Sequence, residues 1–336
     1  MPQLGMSILT HPNQIRAAPG ARLSNEHRYD IDSFLAGNAE AAVERIRAHM
    51  DRKTGRPMDN SKFLDTFCAS LFMGLVPGQR PTFRGVGIEI EVECENNLPE
   101  SAPTGWVKTG DGSLRGYDTA EYVIKGPKLR DDAFKSLDLL GKKLKSHGSI
   151  ISDSVRAGIH IHIDVGELTI REMVCFAMCY YILEEQLTSY CGKGRSGNHF
   201  CLRAMDAESI VHELARGLST GKLFTAIGHD HTRYSALNFN SLFKYGSLEF
   251  RAMRTTTDFD RVKTWVDILL TIKETSKMFK TPLDIVEQFS AGGERTFLRN
   301  VLREHSALFE NKEGMSESLM DGMRLVQSIA YCRKDW

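Results

Sequence analysis

The stretch RGVGIEIEVECE, residues 84–95, sets Glu89, Glu91, Glu93 and Glu95 two apart, with Val86, Ile88, Ile90, Val92 and Cys94 in the other phase. A period of two marks a half-buried β-strand, because successive side chains leave opposite faces of the pleat. The aliphatic residues therefore mark a core face, and the glutamates line the other. Glutamate is a poor strand former, and like charges stacked on one face repel. Such a row is either a solvated outer face or a wall that meets a cation. Carboxylates at this spacing lie roughly 7 Å apart at their Cβ atoms. They can grip neighbouring Mg²⁺ or Mn²⁺ ions, hard cations that take oxygen ligands and bridge phosphates.

The rest of the chain changes period around this strand. Residues 1–30 read as an extended arm, and helices are expected near 37–50 and 60–75. After the glutamate strand come a short strand or turn at WVKTGDGSL, where Asp111-Gly112 marks a tight turn, and an alternating run TAEYVIKGP around Glu121 that Pro127 ends. RDDAFKSLDLLGKKLKSHG reads as a helix stopping at Gly148, and VRAGIHIHIDV as a further strand. LTIREMVCFAMCYYILEEQLTSYC reads as a long buried helix opened by a capping box from Thr169 to Glu172, and DAESIVHELARG as a short one. RYSALNFNSL and YGSLEFRAMRT form a hairpin turning at about Lys244 to Gly246, and everything beyond Asp258 is helical. Several strand connections are too short for a crossover helix, which predicts an antiparallel or mixed sheet in an α+β fold. Three regions follow: an arm and helical extension over 1–80, a strand-bearing core over 81–258, and a helical region packed on it over 259–336.

Composition narrows the function classes. Lys plus Arg equals Asp plus Glu at 43 each, so no overall positive charge draws the chain to nucleic acid or an anionic membrane. The first residues lack the apolar run of a signal peptide, and no stretch of about eighteen apolar residues occurs, so a cytoplasmic location is expected. The seven cysteines include no CxxC pair and sit mostly in apolar surroundings, as reduced core thiols do.

Two further strands carry chemistry. In GIHIHIDV, His160, His162 and Asp164 share one face, a pattern suited to a metal or a substrate, with a hydrogen bond to a neighbouring strand as the plain alternative. In YGSLEFRAMRTTTD, Glu249 and Arg251 point the same way, with Arg254 further along. A structural salt bridge explains that pair; beside a metal, the acid would hold the ion and the arginine a phosphate. Arg233, Asn238 and Asn240 lie on the strand entering this hairpin, the two asparagines on one face. His229-Asp230-His231 forms a second, loop-borne metal candidate, and GKGRSGNH is too irregular for a Walker loop.

Taken in order, these segments resemble the amidoligases, carboxylate-amine ligases related to glutamine synthetase and glutamate-cysteine ligase. The resemblance runs over about 83–258: G-x-E-x-E from Gly87 to Glu91, DGSL at Asp111, the Glu121 strand with Gly126-Pro127, G-x-H-x-H from Gly158 to His162, Leu237-Asn238, and E-F-R from Glu249 to Arg251. It implies a curved sheet of the glutamine-synthetase type whose polar face binds two or three Mg²⁺, or Mn²⁺, and ATP. Glu89, Glu91, Glu121, His160 and Glu249 would be metal ligands. Arg251 would neutralise the transferred phosphoryl group, with Glu249, His162 and Asp111 as further catalytic candidates and Arg233, Asn238 and Arg254 toward the nucleotide. Glu93 and Glu95 extend past the family's pair, toward the rim or toward water.

The implied reaction is ATP-dependent amide formation through an acyl phosphate, with clustered acids holding and deprotonating the amine. The acid and amine partners are left open, from amino acids to cell-wall fragments or polyamines, as is a homo-oligomer. Two alternatives stand beside it. A metal-dependent hydrolase would use the His-x-His strand, and would predict βα repetition with more His and Asp at later strand ends. A ligase-like domain could also serve a binding or structural role.

Overall fold

The computed structural model describes residues 85–165, 168, 170–192, 194–195, 197–220, 234–241 and 247–333. The expected arm, the helices near 37–50 and 60–75, Thr169, Arg233, the His229–His231 cluster and the hairpin turn lie outside these residues. The described residues form an α+β fold of six α-helices and one six-stranded sheet.

The strands are β1 (Val86–Cys94), β2 (Trp106–Thr109), β3 (Asp118–Ile124), β4 (Gly158–Asp164), β5 (Leu237–Asn238) and β6 (Ser247–Arg254), in the order β2-β3-β1-β4-β6-β5. Every neighbouring pair is antiparallel, which settles the sheet type and does not fit the βα barrel of the hydrolase alternative. Alternation sorts each strand as expected. Ile88, Ile90, Tyr122, Ile159, Ile161 and Phe250 are buried in one hydrophobic core, while the glutamates and histidines occupy the opposite face.

Helices α1 (Arg130–His147), α2 (Ile170–Cys191), α3 (Ser209–Thr220), α4 (Phe259–Ser276), α5 (Pro282–Leu302) and α6 (Met315–Ala330) complete the fold. α1 ends where Gly148 adopts a left-handed φ of 75°, turning its N–H back onto the carbonyls of Leu144 and Lys145. Trp106 ties the helix to the sheet by donating Nε1–H to the Ser136 carbonyl at 2.8 Å. α2 is apolar almost all round because it is buried on all sides. Its Tyr180 meets Phe250 of β6 edge-on at 4.9 Å, and α6 packs across its outer side, so close that Gly322 has no room for a Cβ against the Ile182 backbone. α5 opens on a capping box between Thr281 and Asp284 with Pro282 in its first turn. α4, α5 and α6 share the hydrophobic core of the sheet.

Glu184 of α2 accepts the Ala204 N–H at 2.7 Å through one oxygen, while its Oε1 has no partner among the described residues. Burial pushes its pKa up to about 8. Cys94, Cys175, Cys179, Cys191 and Cys201 are buried free thiols, and Cys332 is half-buried.

One expectation is corrected. The strand foreseen through RYSALNFNSL is only Leu237–Asn238. The Asn238 side-chain oxygen accepts the Asn240 N–H at 2.9 Å, a local turn that ends the pairing, so Asn240 does not continue the face of Asn238. No described helix is long and apolar enough to cross a membrane.

Candidate active site

The polar face is built in rows across the sheet. One row runs Gly87, His162, Glu249 and Asn238, a second places Glu89 beside His160, and a third runs Thr109, Glu121 and Glu91. Residues distant in sequence thus become cross-strand neighbours. Gly87 matters here as an absence: a Cβ on it would stand 3.1 Å from the Cβ of His162, tighter than the packing accommodates without a shift.

His160 sits among three glutamates. Its Nδ1 lies 3.4 Å from both Glu89 Oε2 and Glu249 Oε1, and its Nε2 3.7 Å from Glu91 Oε1. His162 places Nε2 3.4 Å from Glu89 Oε1 and Nδ1 3.2 Å from the Ser247 hydroxyl. Arg251 donates from Nη1 to Glu249 Oε1 at 2.5 Å, and Asn238 donates to the other Glu249 oxygen at 2.7 Å.

These contacts set the protonation states. Burial pushes the Glu89 carboxyl up, yet the hydrogen bonds and charges of His160 and His162 outweigh it and hold Glu89 well below its ordinary value. Burial likewise opposes ionised Glu249, and Arg251 followed by the two histidines brings its pKa down. His162 shows the reverse: burial disfavours its imidazolium, but Glu89 and Glu249 raise its pKa overall. Glu121 differs from the others. Burial and then the charge of Glu89 raise its pKa, and the Thr109 hydroxyl at 3.1 Å only partly offsets them.

Ligand atoms of Glu89, His162 and Glu249 lie within 4.8 Å of one another, as do those of Glu91, Asp111 and Glu121. Each set could hold a metal ion. The second is wholly carboxylate and the first adds one imidazole, a donor chemistry that fits Mg²⁺ or Mn²⁺ better than a soft metal. His160, expected as a ligand, stands between the two sets, bridging Glu89 and Glu249 to Glu91.

Asp111 reaches the second set through the tight turn expected at Asp111-Gly112. Its carboxylate accepts the Ser113 N–H at 2.6 Å, and the turn is tied down where Glu93 Oε1 accepts the Arg115 N–H at 2.7 Å. Glu93 is therefore a buried anchor, whereas Glu95 lies beyond β1 and is exposed. Asp164, also buried on this face, ends β4, where its carbonyl accepts Lys273 Nζ of α4 at 2.5 Å.

A β-bulge between Ile159 and Ile161 sets Arg251 and Ala252 of β6 opposite His160. Alternation from Glu249 would send residue 253 to the polar face; the extra residue reverses the phase. Met253 pairs with Ile159 in the core, and Arg254 comes to the face of Gly158. There it contacts Asp153 Oδ1 at 2.5 Å and the Ser154 carbonyl at 3.0 Å.

Sequence reasoning missed Arg195. Its guanidinium, 2% exposed, donates to the carbonyls of Arg251, Ala252 and Met253 at 3.2, 3.0 and 2.9 Å. An arginine in a glycine-rich loop carries no local signal that it will reach a strand more than fifty residues away.

A separate cleft of about 520 Å³ opens among α1, α4 and the 3₁₀ turn at Arg303–Leu308, lined in part by Thr271, Glu274 and His305. Its Arg130 and Asp267 satisfy each other as a two-pronged ion pair at 2.5 and 2.6 Å, and it shares no residue with the polar face.

Residues 107–273 match the model of a family described as "putative amidoligase enzyme". No curated protein matches the chain.

Proposed function

The chain belongs, through residues 107–273, to this amidoligase family, and from that premise we propose that it is an ATP- and Mg²⁺-dependent carboxylate-amine ligase. The observation that carries the reading is convergence: Glu89, Glu91, His160, Glu249 and Arg251, from three different strands, meet on one sheet face beside the Glu91, Asp111 and Glu121 set. We take the sheet to be of the glutamine-synthetase type and the setting to be cytoplasmic.

In this reading the acids hold Mg²⁺, which would offset the charge of the ATP phosphates. Glu89, Glu249 and His162 form one holding set and Glu91, Asp111 and Glu121 the other, with His160 between them. Arg251, fixed by its contact with Glu249, stabilises the phosphoryl group in transfer. A substrate carboxylate oxygen bonds to the γ-phosphorus as the bond to the β-phosphate oxygen breaks, giving an acyl phosphate and ADP. An amine nitrogen then bonds to the acyl carbon, the carbon–oxygen bond to phosphate breaks, and the ammonium proton passes to an acid of the wall. Asn238 orients Glu249 and so acts on the site through it.

The test is ADP and phosphate release with Mg·ATP across a panel of carboxylic acids and amines. Release that requires both an acid and an amine, and that falls by about 10² or more in Glu91→Ala and Arg251→Ala, is the expected result. Hydrolysis of an amide with no nucleotide present would instead favour the hydrolase. Nucleotide turnover unchanged in both variants would detach these residues from the reaction.

A further inference from the structure

The loop from Gly192 to Cys201 places a guanidinium where the acidic wall needs a counterpart. Gly192, Gly194 and Gly197 have φ of 123°, 81° and 68°, so the loop makes turns that side chains with a Cβ resist, and Arg195 is carried inward between them. The arginine lies on the polar face. A Cβ on Gly158 would drive into its Nη2 and stand 3.3 Å from Nε2 of His160. The glycine of G-x-H-x-H is therefore the cradle of this guanidinium, and Gly158 also donates its N–H to Glu91 Oε2 at 2.8 Å.

Three N–H contacts of Arg195 go to the bulge carbonyls, which fasten the strand segment presenting Arg251. The remaining nitrogen, Nη1, is buried with no partner among the described residues, and none of the described carboxylates forms an ion pair with Arg195. Glu91 acts on it through its charge but not by direct contact, and a buried cation with no directly paired counter-ion is costly. The carbonyls offset part of that cost, but they leave Nη1 without an acceptor. The neighbouring guanidinium of Arg251 is paired with Glu249 through Nη1, but its Nε is likewise buried without a partner among the described residues. Two unmet guanidinium donors on adjoining segments suit an anion as their acceptor.

We propose that Arg195 is a phosphoryl-binding residue of this site, its Nη1 donating to a phosphate oxygen opposite Arg251. The assignment rests on the ligase reading for the identity of the anion, as the transferring phosphoryl group; a substrate carboxylate is the competing occupant. Arg195 stands beside His160 and Glu91, and it is tethered to the backbone of Arg251, which favours the phosphoryl group.

Binding of inorganic phosphate in Mg²⁺ buffer, followed by ³¹P NMR, tests it apart from turnover. Arg195→Lys should weaken phosphate binding about tenfold or more, the expectation for a lost hydrogen bond to a charged group. Gly158→Ala, which keeps the arginine but evicts its guanidinium, should do the same, and it carries the test should Arg195→Lys not fold. Thermal melts by circular dichroism identify the folded variant. Phosphate affinity unchanged in a folded variant overturns the proposal, as does a loss confined to acetate binding. ADP release by the wild type is scored separately: Arg195-dependent phosphate binding without it keeps the anion site and removes the ligase reading.

Discussion

Replacing Glu121 by Gln probes the acidic wall most directly. Glu91 and Glu121 stand opposite each other in neighbouring strands, and Asp111 brings a third carboxylate within the same 4.8 Å. Burial and then the charge of Glu89 raise the Glu121 pKa, so its ionised form costs the fold stability above the ordinary carboxyl value, and the cost disappears below it. Like charges directly opposed across strands cost up to about 1 kcal/mol, and solvent screening of this half-exposed group keeps the relief to about 0.5–1 kcal/mol. In a protein of this size that is a rise in Tm of about 1 °C at about pH 7.5 without divalent ions, and none at about pH 4. With Mg²⁺ the order inverts. An ion at a hundred times its Kd adds about 2.7 kcal/mol to the wild type, or about 4 °C, and the variant, one ligand poorer, should gain less than half of that. Differential scanning fluorimetry with and without Mg²⁺ or Mn²⁺ should therefore show the two proteins exchanging rank. A wild type that responds to neither ion, or a variant that responds equally, would refute the claim that these acids hold a cation.

Two other changes test the packing. Glu184 has a pKa raised to about 8, so the wild type should lose stability with rising pH from about 4.5 to about 8, by about 1.4 kcal/mol per unit, and then level off. Glu184→Gln should remove that slope and melt higher by the equivalent of about 3 kcal/mol at pH 7; parallel pH profiles would show that Glu184 is ionised in the fold. Gly322→Ala gains about 1 kcal/mol of helix propensity, but its Cβ would stand 2.6 Å from the Ile182 carbonyl oxygen, and displacing α6 from α2 costs about 1–3 kcal/mol. A net fall in denaturation midpoint is expected, and a rise would mean that the two helices separate freely.

What could be read from the sequence follows the physics of alternation. Period-two runs gave the correct faces for Glu89, Glu91, Glu121, His160, His162 and Glu249, because in those strands one side must join the core. α1 was legible through Gly148, and α2 through its unbroken apolar run. Contacts between distant segments were not. Nothing local to Glu93 says that it will accept the Arg115 N–H, and nothing local to Asp111 says that a turn will bring it to Glu121. The short β5 was overread because the Asn238 side chain competes for backbone hydrogen bonds, a choice that periodicity does not register.

The bulge in β6 works like a phase shifter in the reading of a strand. Upstream of it, odd-numbered residues face the chemistry; downstream, even-numbered ones do. Deleting Ala252 would only regularise the ladder, with Met253 still opposite Ile159 and Arg254 opposite Gly158, whereas inserting one residue after it would leave every proposed ligand and both proposed phosphoryl-facing arginines, Arg195 and Arg251, in the chain, yet would trade places between Met253 and Arg254, driving a guanidinium toward the core and a thioether toward the wall. Insertions at these few positions should therefore be tolerated far less well than substitutions, even though no side chain assigned to catalysis is lost.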